Sequence, residues 1–492
     1  MSGFVWRGIV EGFYGPPWSH ADRLWWLERL GRFGMNLYVH APKSDRLQRD
    51  EWRTPYPEER LREFAELVEA GARAGVEVGF SVSPGLSIEY SSGDDVRLLV
   101  EKLRRFTALG SRFVSLGLDD VPTHLAHEAD RAAFPTLAAA HVALAHALRD
   151  ALGPDVRLWL VPTDYVGVEP TDYLAELGES LARSIEVGWT GRTVVSPTLE
   201  SAEAATRAKT LRRRLLVWDN VPVSDGPMRP MLHLGPYTGR APDLAEHVSG
   251  VVLNPMERAH ASAVAVRTAA DYLRDPAAYD AERSWRDALT EVGAGAERAF
   301  ALFAAAHRFS ALLPGDRDAE LESAFAALRT TLRAESEASR ELGDVKARID
   351  ERRGAADTIR VGLRDRALAT EIEPWLDSHR DESELMRAAV DLLERLASDA
   401  PSLQKVLAFF TLEARLERMR VPAVASYGPR RALYPQLASL RDGEAGFAAD
   451  PALFLDRCLA DEVVRFAEER ARALLGVVAW PGRHQGGGSE TG

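Results

Sequence analysis

Short runs of apolar residues alternate with longer amphipathic stretches over the first half of the chain. Apolar runs of strand length that alternate with helical segments are typical of βα units around a parallel sheet. Eight such units predict an α/β fold, a (β/α)8 TIM-type barrel. The predicted strands cover residues 5–10, 35–40, 76–82, 112–118, 156–161, 185–189, 215–218 and 251–253.

The second half of the chain has a different pattern. Beyond about Pro276 the sequence is rich in Ala, Leu, Arg and Glu, and its apolar residues recur at helical spacing. Short breaks such as Ala400-Pro401-Ser402 separate the amphipathic stretches, as in a helical bundle. We therefore expect a barrel over residues 1–276, an all-α helical bundle domain over 277–480 and a flexible tail over 481–492.

Composition narrows the range of partners. The chain of 492 residues has a formal net charge of −13 and lacks long Lys/Arg blocks, which argues against nucleic acid or an anionic membrane as the main partner. Cys458 is the single cysteine, so an intrachain disulfide is excluded. The sequence has neither a signal-peptide pattern nor an apolar run of about eighteen residues. We expect a cytoplasmic protein.

The most informative stretch is FVSLGLDDVP at 113–122, an apolar run that ends in the adjacent carboxylates Asp119 and Asp120. Pro122 prevents the strand from continuing. Adjacent like charges cost energy unless their surroundings separate their pKa values, and paired carboxylates are the usual groups for cleaving glycosidic bonds. The pair alone fits equally well with a helix cap at Asp120 and a solvated Asp119. The residues that follow the other strands are needed to choose between a catalytic pair and these structural roles.

Polar and aromatic residues also follow the other predicted strands. Because active sites of such barrels lie at the carboxyl ends of the strands, these side chains should converge on one rim. A single Trp or Asn is more often structural, but together they favour a sugar site, where aromatic faces stack on C–H groups and polar groups bind hydroxyls. The residues concerned are Gly12, Tyr14, Lys43, Tyr165, Trp218, Asn220 and Asn254.

Two histidine pairs could be taken for metal ligands. His124 and His127 lie just after the acidic pair, but zinc-dependent hydrolytic barrels usually carry His-x-His on the first strand, and this first strand has none. His141 and His146 lie in an Ala-rich helical stretch at a spacing that does not place them on one face. Phosphate-binding GxxxxGK and nucleophilic GxSxG motifs do not occur. We expect neither a metal nor a cofactor.

A series of motifs spans roughly the first 260 residues, in the order GIVEGFYGPPW (8–18), NLYVHAPK (36–43), SPGL (83–86), LDDV (118–121), PTDYVG (162–167), WTG (189–191), VWDN (217–220), LGPYTGR (234–240) and LNP (253–255). In content and order they resemble the glycoside hydrolase family of protein O-GlcNAcases and bacterial β-N-acetylglucosaminidases, family 84. Chance agreement of so many ordered motifs is remote.

The resemblance implies a retaining, exo-acting β-N-acetylglucosaminidase in which the 2-acetamido oxygen of the substrate is the nucleophile and an oxazoline is the intermediate. Asp119 would hold and polarise the acetamide N–H, and Asp120 would act as general acid and then as general base. Tyr165 would hydrogen-bond the acetamide oxygen. Trp218 and Asn220 would surround the acetamide.

The resemblance also implies which residues bind the ring hydroxyls and what the substrate is. Gly12, Lys43, Asp225 and Asn254 match hydroxyl-binding positions, with Asp225 the partner of the 4- and 6-hydroxyls. The partner would be a β-linked GlcNAc glycoconjugate, such as O-GlcNAc on protein Ser/Thr. Hyaluronan or another glycan remains an alternative, as does a barrel that binds GlcNAc without cleaving it. The helical domain could mediate homo-oligomerisation.

Two positions depart from the family pattern. His40 stands where the motif more often has Tyr, and the loop from Val221 to Met228 reads VPVSDGPM. Neither change touches the acidic pair. The second leaves open how Asp225 is presented to a sugar.

Overall fold

A computed structural model describes residues 3–308, 317–419, 424, 426–427 and 458–476. They form two compact units, of which the first holds the described residues up to Val292 and the second those from Gly293 onward. The first unit extends beyond residue 276 because a helix at Ala281–Val292 packs on the helix before it, Ala263–Arg274. The predicted tail at 481–492 lies outside the described residues.

Eight parallel strands close into a barrel in the order of the sequence, β1 to β8, and β8 pairs with β1. This confirms the predicted α/β (β/α)8 fold, with strand ends within three residues of those predicted. The strands are β1 Trp6–Glu11, β2 Leu37–His40, β3 Glu77–Val82, β4 Phe113–Gly117, β5 Arg157–Val161, β6 Glu186–Trp189, β7 Leu215–Asp219 and β8 Val248–Leu253.

The strands are buried along most of their length, as parallel strands covered by helices must be. Their inward-facing side chains fill the barrel interior. Phe113 and Trp159 belong to this core, with ring centroids 6.2 Å apart. Trp218 lies 5.6 Å from Trp159 and reaches the upper layer. The interior is therefore a packed core that supports the carboxyl ends of the strands.

Helices surround the barrel, and they begin and end at ordinary signals. Ser19 caps the first helix through a capping box with Asp22, and Gly34 ends it in a left-handed conformation. The helices of this unit are α1 His20–Phe33, α2 Glu58–Ala74, α3 Gly93–Ala108, α4 Glu128–Ala133, α5 Leu137–Leu152, α6 Asp172–Ser180, α7 Ser201–Leu211, α8 Ala263–Arg274 and α9 Ala281–Val292, with 3-10 turns at Gly226–Met228 and Leu244–Glu246.

The second unit is helical in its described part, as the amphipathic pattern predicts. Its helices are α10 Glu297–Ala306, α11 Ala319–Arg333, α12 Ser339–Gly362, α13 Arg366–Glu371, α14 Glu373–Ala397, α15 Ser402–Arg418 and α16 Leu459–Leu475. Helix α14 packs against α12, α15 and α16 around a core that includes Val345, Leu393 and Val463. Among the described helices, none is long and apolar enough to cross a membrane.

Candidate active site

A cavity opens at the carboxyl ends of the barrel strands, and all ten residues that the sequence predicts for a site line it. They are Gly12, Tyr14, Lys43, Asp119, Asp120, Tyr165, Trp218, Asn220, Asp225 and Asn254. Valines, Thr190 and Met228 complete the wall. The cavity therefore combines three carboxylates and one ammonium group with aromatic and amide side chains, the mixture that a polyhydroxylated ring needs.

The loop after β4 brings both acids to this cavity. β4 ends at Gly117, so Asp119 and Asp120 lie outside the strand. Their side chains therefore need not point to opposite sides, as successive residues of a strand do. Asp120 has φ of 51°, a left-handed conformation that is rare for a residue with a side chain. This turn lets adjacent residues face the same space. Backbone outliers of this kind cluster at functional sites.

Asp119 forms an ion pair with Lys43. The Lys43 Nζ lies 2.7 Å from Asp119 Oδ2, and the two side chains are only 6% and 11% exposed. Burial lowers the pKa of Lys43, but the neighbouring Asp119 carboxylate outweighs it, so the pKa lies above its ordinary value. The Lys43 ammonium group therefore stays charged beside the Asp119 carboxylate.

Asp120 accepts a hydrogen bond on each carboxylate oxygen. The Tyr165 Oη donates to Oδ1 at 3.1 Å, and the Tyr14 Oη donates to Oδ2 at 3.1 Å. Burial, together with the Asp120 charge, raises the pKa of Tyr165, which therefore stays protonated as a donor. Arg49, in the loop after β2, donates through Nη1 to Tyr14 Oη at 3.2 Å. The sequence pattern did not single out Arg49.

The opposite wall is a network of amides around Trp218. The Asn220 Oδ1 accepts from Trp218 Nε1 at 3.0 Å and from Asn254 Nδ2 at 2.9 Å, while Asn220 Nδ2 donates to a backbone carbonyl. Gly12 N donates to Asn254 Oδ1 at 3.3 Å. A Cβ at Gly12 would come within 2.3 Å of the Trp218 ring, so the close approach requires glycine. Both amides are held in fixed orientations.

Asp225 lies in the loop from Val221 to Met228, which departs from the family pattern, and it still lines the cavity. Its Oδ2 accepts a 2.7 Å hydrogen bond from the backbone N–H of Tyr14, which ties the loop after β7 to the loop after β1. Burial raises the pKa of Asp225. The short 3-10 turn at Gly226–Met228 begins directly after it. The Pro- and Gly-rich sequence of this loop therefore keeps a carboxylate at the wall.

Two buried carboxylates support the site, although the sequence pattern did not predict them as functional. The first is Glu11, directly before Gly12. Arg23 donates to both of its oxygens at 2.8 Å, and Tyr38 Oη and Trp18 N donate as well. Burial raises the pKa of Glu11, but the bonds from Arg23 outweigh it and lower it to about 2. The charged network fixes the end of β1.

The second is Asp219, directly before Asn220 at the end of β7. Arg240 donates to its two oxygens at 2.6 and 2.9 Å, and Tyr237 Oη donates at 2.6 Å. The Asp219 backbone carbonyl accepts from Asn254 N at 2.7 Å, so this network also fixes the end of β8. A charged residue that ends a buried apolar strand was the available sequence signal for both networks.

The histidines that the sequence analysis considered as metal ligands do not line the cavity. His141 bridges the hydroxyls of Tyr173 and Tyr90 at 2.8 and 2.9 Å inside the fold, and burial lowers its pKa to about 3. His127 occupies the N-cap position of α4, and His124 is exposed in the loop before it. Within the described residues no group of three or more His, Cys, Asp or Glu side chains could hold a metal ion.

His40, the departure from the family pattern, lies beneath the cavity rather than in its wall. It is buried, and its Nδ1 is 3.8 Å from Glu11 Oε2, too far for a hydrogen bond. Burial lowers the pKa of His40, so the ring is neutral. The substitution therefore leaves the lining of the cavity unchanged.

A (β/α)8 barrel with paired acids and aromatic walls at the carboxyl ends of its strands has the layout of a glycoside hydrolase. The sequence profile of the β-N-acetylglucosaminidase family matches residues 7–305, and the chain belongs to that family. This confirms the resemblance drawn from the motifs.

Known relatives agree with this membership. The protein O-GlcNAcases of Rattus norvegicus and Mus musculus are each 33% identical over 273 residues, which cover 54% of this chain but 30% of theirs. The chain thus matches less than a third of the rodent proteins' length. The structure of a mutant O-GlcNAc hydrolase of Thermobaculum terrenum matches with a TM-score of 0.82 and 29% identity, covering 96% of this chain and 97% of that one.

Proposed function

We propose that the protein is a retaining exo-β-N-acetylglucosaminidase that uses the substrate's own acetamide as nucleophile and removes GlcNAc from glycoconjugates, including O-GlcNAc on protein Ser/Thr. The observation that carries the proposal is that Asp120 and the Asp119–Lys43 ion pair line the same cavity. Family membership and the likeness to O-GlcNAc hydrolases support it.

Asp119 acts on the acetamide. Asp119 pairs with the Lys43 ammonium group, and its carboxylate accepts the acetamide N–H. As the N–H proton shifts toward Asp119, the acetamide oxygen gains electron density and attacks the anomeric carbon, so that the bond to the leaving oxygen breaks and an oxazoline forms. The proton returns from Asp119 to the nitrogen when the ring reopens. Tyr165 donates its hydroxyl toward the acetamide oxygen and holds it in line for attack.

Asp120 moves the proton in both steps. In the first step it donates a proton to the leaving oxygen as the glycosidic bond breaks, and becomes a carboxylate. In the second step it takes a proton from water, which attacks the anomeric carbon and reopens the oxazoline with retention of configuration. The hydroxyl of Tyr14 stabilises the carboxylate between the two steps.

The remaining lining residues hold the sugar. Trp218 forms a flat apolar wall for the acetyl methyl, and Asn220, fixed by three hydrogen bonds, lies beside the acetamide. Asp225 accepts hydrogen bonds from the 4- and 6-hydroxyls, and Lys43, Asn254 and the backbone of Gly12 bind the others. A carboxylate that binds the 4-hydroxyl supports cleavage from the non-reducing end.

Hydrolysis of an aryl β-N-acetylglucosaminide and of the matching aryl β-glucoside by the purified protein tests the proposal. We expect cleavage of the first and not of the second, because only the first carries the nucleophile. Cleavage of both would mean that the enzyme supplies a nucleophile of its own. Binding of GlcNAc without hydrolysis of either would support a binding barrel instead.

The group attached to the GlcNAc is tested separately, because the roles proposed for the cavity residues concern the GlcNAc and not what it is linked to. We expect a GlcNAc-modified Ser/Thr peptide to be turned over well. Poor turnover of that peptide beside rapid cleavage of a hyaluronan or chitin fragment would favour a glycan-degrading enzyme with the same site.

A further inference from the structure

Arg49 lies beside the acidic pair without being part of the cavity wall. Its Nη1 donates to Tyr14 Oη at 3.2 Å, and Tyr14 Oη donates in turn to Asp120 Oδ2 at 3.1 Å. A continuous chain of two hydrogen bonds thus connects a guanidinium group to one oxygen of Asp120. Burial lowers the pKa of Arg49, but the bond to Tyr14 and the nearby carboxylates outweigh it and raise the pKa above its usual value.

The loop that carries Arg49 is anchored on both sides of it. On one side, Gln48 is buried, and its side-chain Nε2 donates to Ser83 Oγ at 3.0 Å. Its backbone carbonyl accepts from Ser83 N at 2.9 Å. On the other, the buried Lys102 Nζ donates to the carbonyls of Trp52 and Thr54, each at 2.7 Å. The backbone that carries Arg49 is therefore held in place by the fold on both sides of the residue.

Tyr14 is fixed from its backbone as well. The Tyr14 N–H donates to Asp225 Oδ2 at 2.7 Å, so the residue spans from the carboxylate proposed to bind the sugar to the carboxylate proposed to transfer the proton. Tyr14 is 48% exposed, so packing alone does not set the position of its hydroxyl. The guanidinium group of Arg49 supplies that constraint.

We propose that Arg49 is a positioning residue for the general acid: it holds and polarises the Tyr14 hydroxyl against Asp120, an assignment that rests on the proposed function. A cationic donor on the phenol oxygen strengthens the bond that the phenol donates onward. When Asp120 gives its proton to the leaving oxygen, negative charge develops on its carboxylate. Arg49, acting through Tyr14, stabilises that charge as it forms.

The consequence is a dependence on the leaving group. A poor leaving group needs nearly complete proton transfer in the transition state, whereas a strongly activated phenol leaves with little protonation. We expect Arg49→Ala to lower kcat/KM about 10-fold on an alkyl or unsubstituted phenyl GlcNAc substrate, the loss typical of one hydrogen bond to a charged group. On a dinitrophenyl substrate we expect less than about a twofold change.

A double-mutant cycle with Tyr14→Phe distinguishes positioning from a general structural effect. Because Arg49 acts through the Tyr14 hydroxyl, Arg49→Ala should cost little further activity in the Tyr14→Phe background. Arg49→Lys, which keeps the charge but not the planar geometry, should recover part of the loss. Arg46→Ala is the matched control, since Arg46 lies on the same loop, is 71% exposed and pairs with Glu51.

Wild-type protein is assayed first on both substrates, and failure to cleave either would contradict the proposed function itself. With active wild type, equal losses on the two substrates would overturn the assignment of Arg49. Additive losses in the Arg49→Ala, Tyr14→Phe double variant would overturn it too.

Discussion

The backbone of Asp120 adopts φ of 51°, a left-handed conformation that costs a residue with a side chain about 1 kcal/mol or more. The sequence predicts that the strand ends near the acidic pair, because Pro122 cannot continue it. It does not predict which way the chain turns, since that depends on contacts of Asp120 with Tyr14 and Tyr165, which come from other loops.

Removing the Asp120 carboxylate should separate substrates by their leaving groups. We expect Asp120→Ala to lower kcat/KM about 10²- to 10⁴-fold on a phenyl or alkyl GlcNAc substrate, the range of general acid catalysis. On a dinitrophenyl substrate the loss should be much smaller, because that group departs without a proton. Steady-state kinetics on a series of aryl substrates measures the difference.

Asp119→Asn is the matched control for this series. Asp119 acts on the acetamide and not on the leaving oxygen, so its loss should be similar for every leaving group. Equal losses for Asp120→Ala across the series would refute its assignment as the general acid.

The position of each loop of the site is set by the end of the strand that precedes it. The strands are predicted well because each is a short apolar run, but the start of β8 is predicted at 251 and lies at Val248, since Ser249 and Gly250 interrupt the run. Arg49 is a harder case: Arg46, Arg49 and Arg53 lie in one loop, and only the fold decides which of them reaches Tyr14. The networks of Glu11 and Asp219 likewise join residues far apart in sequence.

The Glu11 network should make the barrel sensitive to acid. The pKa of Glu11 is lowered from 4.5 to about 2 in the folded state, so its contribution to stability is complete above pH 4.5 and is lost as the pH falls toward 2. Linkage puts this contribution on the order of 3 kcal/mol. Glu11→Gln should therefore destabilise the protein at pH 7 and lose part of that difference near pH 3, which denaturant unfolding at both pH values measures.

Glu28→Gln is the control for this experiment. Glu28 pairs with Arg32 on the same unit, but both side chains are at least 60% exposed, and such pairs contribute about 0–1 kcal/mol. A destabilisation by Glu11→Gln that stays the same from pH 7 to pH 3 would show that the charge of Glu11 is not what stabilises the end of β1.

At the scale of the whole molecule, periodicity predicts both architectures, because the apolar pattern changes from alternating βα units to helices alone. The exact end of the first unit is not predictable in this way, since α9 has the same amphipathic pattern as the helices of the second unit and only its packing on α8 assigns it. A cytoplasmic location and homo-oligomerisation through the helical domain stay predictions.

The central claim is that the substrate's acetamide oxygen is the nucleophile, and substitution of the acetyl group with fluorine tests it most directly. Each fluorine withdraws electrons from that oxygen without changing the leaving group. We predict that kcat/KM falls steadily from the acetyl to the mono-, di- and trifluoroacetyl aryl substrates. A rate that does not change along the series would contradict the account and require a nucleophile from the protein.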